Sequence, residues 1–165
     1  CKSGQLDFAT VATPAWKSET AQARMDNILS SFYSDALTGG TKLDICLCSN
    51  DSTALGVTNS LVAAGFTKDN IPVITGQDCD IANTKNMIAG LQAMSVFKDT
   101  RTLAAQTVTM VSDILSGKTP ETNATYNNKT KDVPSYNCTP VFADASNYQT
   151  ILIDSGYYTA DQLAN

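Results

Sequence analysis

The chain has 165 residues and a mass of 17.5 kDa, enough to bury one sizeable core without staples. Eleven basic against sixteen acidic residues give a net charge of −5 with no Lys/Arg cluster, which excludes nucleic acid and other polyanions as ligands. No apolar run reaches the roughly 18 residues that span a bilayer, and five cysteines without a C-x-x-C pair and without any histidine give no expectation of a metal site.

The first predicted element is a short strand over Leu6–Ala12, stopped by Pro14. A helix follows over Ser18–Leu37, with Ala21, Met25, Ile28, Leu29 and Phe32 at spacings of three and four, Ser18 as N-cap and Gly39-Gly40 as the stop. Leu43–Cys48 reads as a buried strand in which Cys46 and Cys48 share one face as small core residues. A helix over Asp51–Ala64 ends at Gly65, a strand covers Ile71–Thr75, and a helix over Ile81–Ala89 ends at Gly90. This alternation with short connections predicts an α/β fold, a parallel sheet with helices on both faces and right-handed crossovers.

Beyond Gly90 the pattern changes. Residues 93–98 (AMSVFK) read as a further strand, and Asp99–Leu115 as a long helix with an apolar stripe of Leu103, Val108, Val111, Ile114 and Leu115. Gly117–Asp132 is polar and aperiodic and is expected to be a surface loop. Residues 134–143 read as one strand, or two, broken at Pro140, and Tyr148–Asp154 as a helix before a short terminal segment. Asn-x-Ser/Thr triplets at Asn50, Asn123, Asn128 and Asn137 carry too little information to decide anything.

In a doubly wound sheet ligands gather beyond the carboxyl ends of the strands. The polar residues there are Asn50-Asp51 after the second strand and Gln77-Asp78 after the third, with Trp16 after the first and Lys98 closing the fourth. An amide both donates and accepts, a carboxylate only accepts and a lysine only donates, so together they can pair with neighbouring hydroxyls. The flat face of an indole suits the C–H face of a sugar ring. Each residue also has a plainer reading: Asp51 and Asp78 as helix N-caps, Trp16 as a packing residue, Lys98 as a solvated surface lysine. Catalysis has little to work with, since Asp78 and Asp80 form the only close carboxylate pair in the crevice and there is no nucleophile elbow or Gly-rich phosphate loop. A carbohydrate-acting enzyme using that pair is the remaining catalytic reading.

The segments ATPAWKSETAQARMDNIL (12–29), SNDSTALG (49–56), VITGQDCDIANTKNMIAGLQAMSVFKDTR (73–101) and IDSGYY (153–158) resemble the sugar-binding proteins of bacterial ABC transporters, in particular the xylose and multiple-sugar branch. The resemblance runs from Lys2 to Leu163 and implies a periplasmic-binding-protein-like fold of which this chain is the second half. Residues 1–92 then correspond to the second lobe, 93–117 to a strand and helix crossing to the first lobe, and 118–165 to a loop, the hinge return and a terminal helix, with the N-terminal lobe largely missing. The helix over Asp99–Leu115 would accordingly show its apolar stripe or have it covered by another chain. Although a chain opening Cys-Lys-Ser-Gly looks like a mature lipoprotein, the match of Lys2–Leu6 to a mid-chain passage argues against lipidation at Cys1.

The same resemblance implies that Trp16 stacks on a pyranose ring, that Asn50 and Asp78 hydrogen-bond to ring hydroxyls, and that Lys98 is a hinge-side ligand, while Asp51 keeps its cap role. It implies no enzyme activity, no cofactor and no metal. The implied function is capture of an aldose monosaccharide by lobe closure, outside the cytoplasm, in a periplasmic or lipid-anchored protein. The implied partners are an ABC transporter permease, a chemoreceptor and the missing lobe. The alternative is the effector domain of a sugar-responsive transcription regulator, which shares this fold.

Overall fold

The computed structural model describes residues 9–164, in two compact units: residues up to Ser95 together with those from Ala143 onward, and Val96–Phe142. The first unit runs α1 (Ser18–Phe32), β1 (Ile45–Leu47), α2 (Asp51–Ala63), β2 (Val73–Gln77), α3 (Ile81–Ile88) and the start of β3 (Met94–Phe97). β1 and β2 pair in parallel with Ile45 opposite Val73 and Leu47 opposite Thr75, so both strands end at the same sheet edge. In the second unit lie α4 (Thr100–Leu115) and an antiparallel hairpin of β4 (Ala124–Asn127) and β5 (Asp132–Ser135). A last strand, β6 (Val141–Ala143), completes a four-stranded sheet of order β1-β2-β3-β6, and a π-helical turn (Gln149–Asp154) and α5 (Ala160–Leu163) close the chain.

The core of the first unit forms where the apolar stripe of α1 meets α2 and the sheet. Met25 and Leu29 from α1 pack with Ala54 and Leu61 from α2, with Phe66 and with Ile74 from β2. Leu61 and Ile74 are fully buried, each contributing about 1.5–3 kcal/mol. The two helices approach closely because Gly56 lacks a side chain: a Cβ there would lie 2.2 Å from the Ser18 carbonyl oxygen and 2.9 Å from the Ala21 Cβ. Cys46 and Cys48 pack on this cluster from one face of β1, as the two-residue spacing requires.

Several boundaries differ from the sequence reading for local reasons. Of the strand expected over Leu6–Ala12, Leu6 to Phe8 lie outside the described residues, as does Cys1, and Ala9–Ala12 carry no regular structure. α1 stops at Phe32 rather than Leu37 because Asp35 builds a competing turn, its carbonyl accepting from the Thr38 and Gly40 N–H and its carboxylate from the Thr41 N–H. Ser18 is the first helical residue, and Lys17 is the N-cap without a side-chain bond. The predicted loop over Gly117–Asp132 contains β4, whose hairpin with β5 buries little and so leaves no apolar alternation. Its turn is made by polar chemistry instead, with Asn128 Oδ1 accepting from the Thr130 and Lys131 N–H and Lys129 at φ 70°.

Candidate functional site

The site is built where β1 and β2 hand over to the helices that follow them. At the first hand-over Asn50 is the N-cap of α2 in a capping box: its Oδ1 accepts from the Thr53 N–H at 3.1 Å, and Thr53 Oγ1 accepts from the Asn50 N–H at 3.3 Å. The cap is therefore Asn50, not Asp51, and the amide Nδ2 of Asn50 makes no hydrogen bond among the described residues. Asp51 points inward and is fully buried. The sequence reading erred because an acid at either N-cap or N1 satisfies the same helix-terminus rules.

Asp51 anchors the second hand-over. Its Oδ2 accepts from the Asp80 N–H at 2.8 Å, and its Oδ1 accepts from Ser95 Oγ at 2.9 Å and Gln92 Nε2 at 3.1 Å. Ser95 Oγ also accepts from the Cys79 N–H at 3.1 Å, and Asn83 Nδ2 donates to the Asp51 carbonyl at 2.9 Å and to Gln92 Oε1 at 2.7 Å. From the far side Tyr158 Oη donates to the Cys79 carbonyl at 2.9 Å. These bonds hold the turn after β2 with Asp78 at φ 105° and Cys79 at φ 55°, conformations that cost of order 1–3 kcal/mol each. Gly76 makes the approach possible, since a Cβ there would lie 2.0 Å from Asp51 Oδ1. Burial, partly offset by these bonds, pushes the Asp51 carboxyl up to about 6. Sequence reasoning missed the network, yet a glycine inside the strand VITGQ is the signal that something approaches the backbone there.

Trp16 sits in a tight turn, Pro14–Trp16, in which both Ala15 (φ 55°) and Trp16 (φ 51°) are left-handed. A bulky residue rarely adopts that backbone. The indole is 56% exposed, so it is not a core residue, and it lines an open recess of about 590 Å³ with Ala15, Lys17, Glu19 and Ser52. Ser52 belongs to the first turn of α2, which brings Trp16 and the Asn50 cap to one edge. Asp78 is half-buried on the turn that Asp51 ties to the same helix end. Lys98, half-buried, lies in the second unit just beyond β3. Asp80 is exposed, with its carboxyl raised by partial burial and by the Asp78 charge.

Among the described residues no group of three His, Cys, Asp or Glu side chains could hold a metal ion. Burial raises the thiols of Cys46 to about 11 and of Cys48 and Cys79 to about 12, leaving them protonated and poor nucleophiles. What the edge offers is an exposed indole face, an amide and a carboxylate, a set suited to a neutral hydroxylated ring.

The family described as periplasmic binding protein domain matches residues 3–119, and the chain belongs to that family. It is similar to the multiple sugar-binding periplasmic receptor ChvE of Rhizobium radiobacter, 46% identical over 166 residues that cover 98% of this chain and 46% of the receptor. It is also similar to the D-xylose-binding periplasmic protein of Escherichia coli, 32% identical over 148 residues covering 90% and 42% of the two chains. An ABC transporter solute binding protein from Clostridium phytofermentans, solved with bound β-D-glucose, superposes with a TM-score of 0.86 at 59% identity, covering 99% of this chain and 49% of that one. The chain thus spans about half the length of the relatives it matches. All three are named as binding proteins or receptors, which disfavours the transcription-regulator reading.

Proposed function

We propose that the protein carrying this chain is a non-enzymatic, extracytoplasmic receptor that captures an aldose monosaccharide and delivers it to an ABC transporter permease. What carries this reading is the placement of Asn50 and Asp78 just after β1 and β2, tied together through Asp51, with Trp16 across a recess from Ser52 in the first turn of α2; Trp16 and Asp78 are both on left-handed backbone. Strain of that kind persists where the surrounding structure over-determines it, as it does around a preorganised ligand site. A relative solved with bound β-D-glucose and relatives named for xylose and for multiple sugars support an aldose in that place.

In this reading Trp16 covers one face of the pyranose, Asp78 accepts from ring hydroxyls and Asn50 Nδ2 donates to one. The residues up to Ser95, with the start of β3 in their sheet, belong to the second lobe, Lys98 acts from the hinge side, and α4 goes with a first lobe that supplies the remaining contacts. Sugar binds one lobe and the lobes close about it, so that binding energy goes into a shape a permease or chemoreceptor distinguishes. No bond is made or broken. The receptor works in the periplasm or anchored by lipid at the cell surface.

Isothermal titration calorimetry of D-glucose, D-xylose, D-galactose and L-arabinose into the full-length protein tests the reading, with Trp16→Ala and Asp78→Ala alongside. The expected result is micromolar or tighter binding of at least one aldose, weakened at least about a hundredfold in each variant, since each loses stacking or charged hydrogen bonds. Wild-type affinity retained in both variants would exclude this edge as the sugar site.

A further inference from the structure

We propose that Asp51 is the positioning residue of this site: its buried carboxylate holds the turn Gln77–Asp80 and thereby Asp78, and its ionised form is the one competent to bind sugar. The assignment rests on the sugar-site reading above.

A carboxylate without a cation at its side is an expensive thing to bury. The titratable groups that face Asp51 are Cys48 at the end of β1, Cys79 and Asp80 in the turn, and Tyr158 from the C-terminal segment, none of them a cation. Its other neighbours, Ser95, Gln92 and Asn83, are neutral and at most 3% exposed. The bonds Asp51 makes serve the turn. It takes the Asp80 N–H directly, and through Ser95 it fixes the hydroxyl that takes the Cys79 N–H. The two residues before Asp80 are both left-handed, so the turn needs these anchors to keep its shape. Gly76 leaves room for the carboxylate, and Asn83 and Gln92 lock its backbone and side chain in place.

Three donors face this one group, and an ionised carboxylate can accept all three. Once protonated it loses its charge and turns one O–H among those donors, so its hold on the turn weakens from charge-assisted to neutral hydrogen bonds. Cys48, Cys79 and Tyr158 are pushed up to about 12 and stay neutral throughout, while burial raises the carboxyl of Asp51, and burial with the Asp78 charge raises that of Asp80. Asp51 titrates at about 6. Asp51→Asn imitates the protonated state in shape: it keeps one accepting oxygen but turns an amide N–H toward the Asp80 N–H.

The test is D-glucose and D-xylose affinity of the full-length protein between pH 7.5 and 5.0, for the wild type, Asp51→Asn, Ser95→Ala and Asp78→Ala, with a thermal melt of each. In the wild type the dissociation constant is expected to rise about tenfold as pH falls through 6, the loss of one charged hydrogen bond. Asp51→Asn is expected to be about tenfold weaker at pH 7.5 and to show no such rise, and Ser95→Ala to be weakened with the rise retained. If the wild type binds neither sugar, or Asp78→Ala binds as the wild type does, the sugar site itself is misplaced and this assignment falls with it. If Asp78→Ala loses binding while Asp51→Asn matches the wild type at every pH, the site stands and the positioning role is overturned. Should Asp51→Asn not fold, Ser95→Ala decides, unchanged affinity counting against the role and weakened affinity for it.

Discussion

At Asn50 the oxygen of the side chain closes the first turn of α2 while the nitrogen makes no hydrogen bond among the described residues. Those two halves can be separated by substitution. Asn50→Ser keeps an N-cap oxygen and removes the amide donor, so the urea midpoint should stay close to the wild type while sugar affinity falls at least about tenfold. Asn50→Ala removes both and should cost a further ~1 kcal/mol of stability in the same denaturation. A serine variant with full affinity would reduce Asn50 to a cap. The residue scale also shows what sequence could and could not say. Asn50 and Asp78 were legible as polar residues just after strands, because strand ends are where such folds put ligands, whereas no strand precedes Trp16 among the described residues and its left-handed turn left no pattern in the sequence. Asp51 was not legible, because an acid one place into a helix looks the same whether it faces solvent or the core.

Between elements, the tightest demand is where α1 crosses α2 at Gly56. The clash there is with backbone, which cannot rotate away as a side chain can. Gly56→Val should therefore destabilise by about 1–3 kcal/mol beyond any helix-propensity change, read as a lower urea midpoint at an unchanged slope. Helices closed by a glycine were legible: α2 and α3 begin where expected and end within a residue of it, stopped by Gly65 and Gly90 at φ 100° and 77°, while α1 begins where expected and ends early at Phe32. The hairpin of β4 and β5 was invisible to the same reading. Its cohesion is polar, with Asn127 Nδ2 donating to Asp132 Oδ1 at 2.8 Å and Asn137 Nδ2 donating to Tyr126 Oη at 2.6 Å, and no hydrophobic period betrays such a pair. α4 shows the converse, a strong apolar pattern on a helix whose Leu103, Val108, Val111, Ile114 and Leu115 are 40–82% exposed.

For the whole molecule, the buried carboxylate gives pH a sign opposite to the usual one. Asp51 holds its proton more tightly folded, at about 6 against an ordinary 3.8, so the native state takes up a proton in that interval that the unfolded state does not. Stability should rise as pH falls from 7 through 6 towards 4, by up to about 3 kcal/mol from this group, and Asp80 acts in the same direction. Asp99 and Asp144, held low by the Arg101 side chain and the Ser146 hydroxyl, work the other way, but only below the ordinary carboxylate range. Urea titrations at pH 7 and 4.5 should show the gain in the wild type and a smaller one in Asp51→Asn; equal gains would mean that Asp51 does not titrate in this window.

The thiols of Cys46, Cys48 and Cys79 are quiet only while the chain is folded. Burial keeps them protonated, and unfolding returns each to the reactivity of an ordinary cysteine. Every opening of the first unit therefore starts a brief interval in which an electrophile can leave a permanent mark, and closing ends it. Cys79 is fully covered and sits at the centre of the strained turn, so its rate of modification is a clock that ticks once for each time that turn comes apart.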